Sequence, residues 1–206
     1  MENTLTESKV GKLLDWAYEK SINGLPGTDT AYDLAQNYLL KYGSVDKAIN
    51  KLIQWQNTKS ATAGFLTGLG GLITLPVAIP ADVASVTYVQ IRMVAAIAVM
   101  RNYDIRDDQV KTFVFLALTG NSVSEILKNA GIKTATQLGK QAIKKVPIEI
   151  IKAINKAVGF RLVTKFGEKG IVNLGKAVPL LGGVVGGTMD GMSTNIIGRT
   201  AKKIFV

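Results

Sequence analysis

The sequence predicts an all-α fold, a bundle-like set of helices in one domain with glycine-rich helices packed together, and three observations carry it. Apolar residues recur at helical spacing in one segment after another. No run alternates apolar and polar residues as a half-buried strand does, and no Asn-Gly turn joins two apolar runs. Helix stops and starts also sit side by side, as at Gly43-Ser44 and Gly120-Asn121-Ser122. With 206 residues, the chain is long enough to bury a core of its own. Its parts are amphipathic helices over 1–58, an apolar Gly/Pro-rich core over 59–130 and a basic, glycine-rich part over 131–206.

The first helix is expected over 7–22, where Val10, Leu13, Leu14 and Ala17 share a face beside Trp16 and Tyr18. Asn23, Gly24, Pro26 and Gly27 break it. Thr28 or Asp29 is expected to cap a second helix that runs to Tyr42 and stops at Gly43. Ser44 then caps a third, with Val45, Ala48, Ile49, Leu52, Ile53 and Trp55 as its apolar face.

The stretch that organises the chain follows. Residues 60–81 are 22 positions without a charge, a length that would cross a hydrocarbon layer. Gly64, Gly68, Gly70 and Gly71, followed by Pro76 and Pro80, rule out one uninterrupted helix. Two helical pieces are expected, over 60–75 and 81–102, joined by a bent LPVAIPAD connector. Their apolar surface is either buried in protein or offered to lipid, and both options stay open at this point.

Asn102, Tyr103 and Asp104 read as a turn. Asp107 and Asp108 suit a helix N-terminus, and the helix they open should stop at Gly120. Phe113 to Leu118 make it apolar on all sides, which places it centrally. Asn121 or Ser122 is expected to cap the next helix, ending near Gly131. Beyond it, Lys133, Lys140 and Lys144, then Lys145, Lys152 and Lys156, then Lys165, Lys169 and Lys176 fall at spacings of four and seven. Such spacings share a helix face. Ile143, Val146, Ile148, Ile150, Ile151, Ile154 and Val158 stand opposite, while Pro147, Gly159, Gly167, Gly170 and Gly175 are expected to cut the segment into short pieces. The last helix opens near Pro179 and carries Gly182 and Gly186, with Gly183, Gly187 and Gly191. Each interior Gly costs about 1 kcal/mol against Ala, so close backbone packing, with Gly64 and Gly68 as partners, is expected to offset it.

Composition removes several function classes. The chain has no His and no Cys, which excludes a Ser-His-Asp triad, a thiolate nucleophile, a disulfide and a His- or Cys-based metal site. No cofactor and no metal is expected. The N-terminal MENTLTESKVGK carries no apolar leader, so a cytoplasmic location is expected. The net charge of +10 lies wholly in residues 121–206, which hold fourteen basic and four acidic residues. One basic face and an anionic partner follow from that asymmetry.

The runs GFLTGLGGLITLPVAIPAD, YVQIRMVAAIA with the following NYDIRDD turn, and VPLLGGVVGGTMD with IGRTAKKIF resemble the EcsC family of bacterial proteins, from about residue 5 to the end. That family takes its name from an operon that also encodes an ATP-binding-cassette transporter. The resemblance implies a bacterial cytoplasmic protein with a membrane connection, and a membrane-protein partner of transporter type; it supplies no catalytic residue.

Two acids stand alone in apolar sequence. Asp82 reads either as a helix cap after Pro80 or, with Ser85, Tyr88 and Arg92 within about 60° of one another on one helix, as the head of a polar groove for a ligand headgroup. Asp190 reads either as a structural partner, with Arg92 as its cation, or as a ligand site. The lysines offer a clearer choice. Residues 128–176 hold eleven basic residues against Glu149 and Glu168, with one Arg and two aromatics. Nucleic acid is disfavoured, because stacking platforms and Arg forks are scarce. An anionic membrane surface, met by Lys140, Lys144, Lys145, Lys152 and Lys156, fits better. The expected function is lipid or membrane-protein binding at the inner membrane surface. A pore-forming protein that uses its glycine-rich helices and a hydrolase that uses Asp82 or Asp190 are the alternatives.

Overall fold

The computed structural model describes residues 6–60, 79, 81–132, 139–166 and 182–206, except the side chains of 58–60, 81, 82, 165, 166 and 182–192. Among the described residues the chain is helical without a strand. The expected all-α fold is what the chain adopts.

Helix α1, Glu7–Asn23, starts where Thr6 accepts a hydrogen bond from the Lys9 amide. Helix α2, Ala31–Tyr42, is capped by Thr30 and not by Thr28 or Asp29. The reason is local. Thr30 stands three residues before Asp33, and the two exchange hydrogen bonds as a capping box, Thr30 Oγ1 from the Asp33 amide and Asp33 from the Thr30 amide. Gly43 closes α2 with φ 71°, its amide bonded to the Leu39 carbonyl at 2.9 Å. Ser44 accepts from the Lys47 amide and opens α3, Val45–Ser60, as expected. Ala48, Ile49, Leu52 and Ile53 are buried, but Trp55 is 50% exposed. It stands on the flank of the face that Leu52 and Gln56 centre, so its ring projects past the contact with the core.

Helix α4, Ala81–Met100, is the centre of the fold. It packs against α1, α2 and α3, and also against α5, Asp108–Ala117, and α9, Gly182–Ile204. From Val89 to Ala98 every residue is buried, Gln90 and Arg92 included. Neighbouring helices cover the apolar surface of α4. Residues 61–78 lie outside the described residues, and with them the expected helix over 60–75 and its glycine contact to Gly183 and Gly187.

Asp107 caps α5 by accepting from the Gln109 amide at 2.9 Å. Phe113 to Leu118 are buried, as an all-apolar helix requires. The helix ends at Ala117, before the expected Gly120, which instead opens a short 3-10 turn with φ 58°. That turn runs straight into α6, Val123–Asn129. Ser122 keeps helical backbone angles there and makes no capping bond; its hydroxyl accepts from Arg161 Nε at 2.9 Å.

Helix α7, Lys140–Lys144, and helix α8, Ile148–Phe166, flank Pro147. Gly159 does not break α8, contrary to expectation: one helical Gly costs about 1 kcal/mol, while burial of Ile151, Ile154, Val158 and Leu162 holds both halves against the core. Ile148 leaves the expected apolar face and is 55% exposed, because it is the first residue of α8 and overhangs its neighbours.

Candidate functional site

The polar candidates on α4 do not form an open groove. Ser85, Tyr88 and Arg92 are all buried. Tyr88 and Arg92 are turned toward the connector between α1 and α2. The Tyr88 hydroxyl donates to Thr28 Oγ1 at 2.8 Å, and Thr28 in turn bonds the amide and carbonyl of Leu25. Arg92 Nη1 donates to the Asp29 carbonyl at 3.0 Å, and its guanidinium lies 5.2 Å from the centre of the Tyr88 ring, a cation–π distance. Ser85 Oγ has no hydrogen-bond partner among the described residues.

The proposed Asp82 and Asp190 roles cannot be placed beside these, since both side chains lie outside the described residues. Gln90, two residues before Arg92 and so on the other side of α4, donates to Thr194 of α9 at 3.2 Å. Helix α9 thus meets the Gln90 side, and Arg92 faces α2. A cavity of about 210 Å³ opens at Arg92, lined also by Thr28, Asp29, Tyr38, Trp55 and Gln56. No local motif announces it, because its residues come from three helices and a connector.

The lysine candidates are exposed, but the break at Pro147 leaves Lys145 outside the helix that carries Lys152 and Lys156, so the spacing of seven between Lys145 and Lys152 does not place them on one helix face. Lys140, Lys144, Lys145, Lys152 and Lys156 are all exposed, on α7, just after it and on α8. None of the five takes part in an ion pair among the described residues. Along α8, Lys152, Lys156 and Phe160 follow at intervals of four, opposite the buried stripe of Ile151, Ile154, Val158 and Leu162. Phe160 is 60% exposed. The two-helix unit therefore presents ammonium groups with apolar side chains, Ile148 and Phe160, among them; Glu149 is the one acid from 139 to 166.

Sequence reasoning missed a groove beside the exposed lysines of α8. It has a volume of about 420 Å³ and lies between α1, α5 and α8, where Lys152 and Lys156 meet Glu7, Asp15 and Asp108. Lys111 bridges to Asp15 at 2.7 Å and sits over the rings of Tyr18 and Phe115. Burial pushes the Tyr18 phenol well above its ordinary value, so it stays protonated and donates to the Ile105 carbonyl at 2.6 Å. The groove has both signs of charge on its walls, and Ile148, Lys152 and Lys156 of the exposed face of α8 stand on its rim with Glu7, Asp15 and Asp108. Among the described residues no cluster of three or more metal-ligating side chains occurs.

The family model described as the EcsC protein family matches residues 6–206. No curated protein and no solved structure matches the chain.

Proposed function

The chain belongs to the EcsC protein family, and from that premise we propose that it acts at the inner face of a membrane as a peripheral, cytoplasmic protein that binds anionic lipid. The observation that carries this proposal is that Lys140, Lys144, Lys145, Lys152 and Lys156, on α7, just after it and on α8, are all exposed without an ion-pair partner among the described residues, with Ile148 and Phe160 of α8 exposed as well. Acidic headgroups supply the missing countercharge. The two apolar side chains reach below the headgroups while lysine stems cover apolar surface and keep their charges in water. At about 1 kcal/mol for each lysine near the surface, five give about 5 kcal/mol, which supports reversible attachment.

Burial of α4 adds a second support. It is the one helix among the described residues long and apolar enough to cross a membrane, and 89% of that window is buried within the protein. Contact with lipid then falls to the outer helices. No catalytic role is assigned to any residue.

Flotation with vesicles tests the proposal. The protein should float with vesicles rich in phosphatidylglycerol or phosphatidylserine, stay behind with pure phosphatidylcholine and come off in high salt, because screening acts on exposed charges. Replacing Lys140, Lys144, Lys152 and Lys156 with Gln should weaken binding by about a thousandfold, four lysines at about 1 kcal/mol each, with unchanged helicity by circular dichroism. Equal binding by that variant would refute the lysine face. Resistance to carbonate would point instead to insertion.

A further inference from the structure

A groove at the C-terminal end of α8 carries a different chemistry from the lysine face. It has a volume of about 570 Å³ and runs between the turn after α5, the end of α8 and α9. Small-molecule pockets span about 300–1,000 Å³, so the size suits a ligand. Among the described residues that line it, Arg161 is the one that carries a charge. The side chain is exposed, yet its direction is set: Nε donates to Ser122 Oγ at 2.9 Å, and Ser122 lines the same groove. The two terminal nitrogens make no hydrogen bond or ion pair among the described residues.

The neighbours of Arg161 narrow the chemistry. Because Ser122 Oγ accepts from Arg161, its own proton is left to donate elsewhere. Asn121, exposed beside it on the groove, adds a carboxamide. Thr119 and Thr164 commit their hydroxyl protons to the Leu116 and Arg161 carbonyls. The donors gathered around Ser122 are thus its own hydroxyl, the Asn121 amide and the open edge of the guanidinium. Beyond them the wall is apolar: Leu162 and Ile197 are buried, and Ile196 is 39% exposed. A bare anion would satisfy the donors but leave Ile196 in water. A carboxylate brings two oxygens, which the guanidinium fork alone would occupy; a phosphate monoester brings a third for Ser122 and Asn121.

We propose that this groove binds a phosphate monoester carried on an aliphatic chain. Its phosphate oxygens meet the terminal nitrogens of Arg161 and the Ser122 hydroxyl, and its chain lies along Leu162, Ile196 and Ile197. The planar fork of an Arg matches two phosphate oxygens at once. Two sources share that chemistry: a membrane lipid that ends in a bare phosphate, and a soluble alkyl or isoprenyl phosphate. The site uses none of the five lysines, so its failure would leave the lysine face untouched.

Calorimetric titration of the whole chain with hexyl phosphate, inorganic phosphate and hexanoate tests it. Hexyl phosphate should bind saturably and about sixtyfold tighter than inorganic phosphate, since each of about three buried CH2 groups contributes about fourfold. Hexanoate should bind about tenfold more weakly than hexyl phosphate, the loss of one charge-assisted contact. Arg161→Gln, at an exposed position, should keep the fold and abolish saturable binding, while Arg161→Lys should lose about tenfold because the charge remains without the fork. Ile196→Ser should cut the advantage over inorganic phosphate about fourfold or more and leave inorganic phosphate itself unaffected. Replacing Lys140, Lys144, Lys152 and Lys156 with Gln should not change hexyl phosphate binding. Vesicles matched in net charge identify the source. Stronger flotation with phosphatidic acid than with phosphatidylglycerol, lost in Arg161→Gln, points to a lipid; equal flotation leaves the soluble ester. No saturable binding of hexyl phosphate, or equal binding by Arg161→Gln, would overturn the proposal. So would inorganic phosphate or hexanoate binding as tightly as hexyl phosphate, or loss of binding in the lysine variant.

Discussion

Gly198 offers the sharpest test of how the helices are held together. It lies on α9 against α3, and a Cβ placed there would stand 2.7 Å from Ile53 Cγ1, 3.0 Å from Cγ2 and 3.1 Å from Cδ1. Ile53 is buried and branched at Cβ, so it has few rotamers and little room in which to turn away. Gly198→Ala therefore sets two effects against each other. Helix propensity favours Ala by about 1 kcal/mol, whereas overpacking a core contact costs about 1–3 kcal/mol. Overpacking wins here, because all three nearest atoms belong to one stiff side chain close to its own backbone. One turn on, Lys202 bridges to Asp46 at 3.1 Å. With overpacking in the upper part of that range, about 2–3 kcal/mol, the net loss is about 1–2 kcal/mol, a drop in melting temperature of about 2–8 °C for a chain of this size. Ile53→Ala removes the obstructing atoms. In that background Gly198→Ala should stabilise by about 1 kcal/mol, the propensity term alone. Thermal denaturation of the four proteins of this cycle checks both signs. Gly198→Ala that is neutral or stabilising in the wild-type background, or equally damaging in both, would refute the close contact.

Two further outcomes follow from the caps and charges. Thr30→Ala should cost about 1 kcal/mol, while Thr30→Ser should cost little, since Ser retains the capping hydroxyl; urea denaturation distinguishes them, and equal losses would exclude the capping box. Asp46 is held below its ordinary carboxyl value of 3.8, first by its hydrogen bond to Lys202 and then by Arg101. Its contribution is thus present above that value and is lost as pH falls through the depressed folded value. Asp46→Asn should flatten this part of the acid limb of a stability–pH profile, below about pH 4, and an unchanged limb would show that the bridge carries no pH dependence.

The helices were legible wherever one segment held its own signals. Ser44 and Gly43, Asp107 with Gln109, and the apolar run Phe113 to Leu118 act within a few residues of themselves, and their expected roles match the fold. The cap of α2 is itself a local signal, Thr30 with Asp33 three residues on, which stands in place of Thr28. The other differences have causes from outside the segment. Ser122 is drawn to Arg161. Gly159 was expected to end a helix because its intrinsic penalty is visible in sequence, whereas the core contacts that override it are not. The site shows the same division. The exposure of Lys152 and Lys156, one turn apart on α8, follows from their spacing, whereas the break at Pro147 separates them from Lys140, Lys144 and Lys145. The Arg92 cavity depends on Asp29, Tyr38 and Trp55 reaching one place from separate elements, and no periodicity encodes that meeting.

A basic chain with a mean hydropathy of +0.21 invites the idea that its apolar stretches are what meets a membrane. The division of labour between the helices argues for the opposite arrangement. Helix α4 is surrounded by α1, α2, α3, α5 and α9, so offering its surface to lipid would require those contacts to open. Each large apolar side chain exposed in the process forfeits about 1.5–3 kcal/mol of burial within the protein. Lipid returns a comparable amount only after the packing of the whole assembly has been lost, and the net stability of a domain, about 5–15 kcal/mol, is spent after a handful of such side chains. The face of α7 and α8 needs no such opening. Its lysines are already exposed, and Ile148 and Phe160 already stand outside the core. Attachment through that face, as proposed, would leave every buried residue of α4 where it is, so the proposal expects a bound protein with its native helix content and full release by salt.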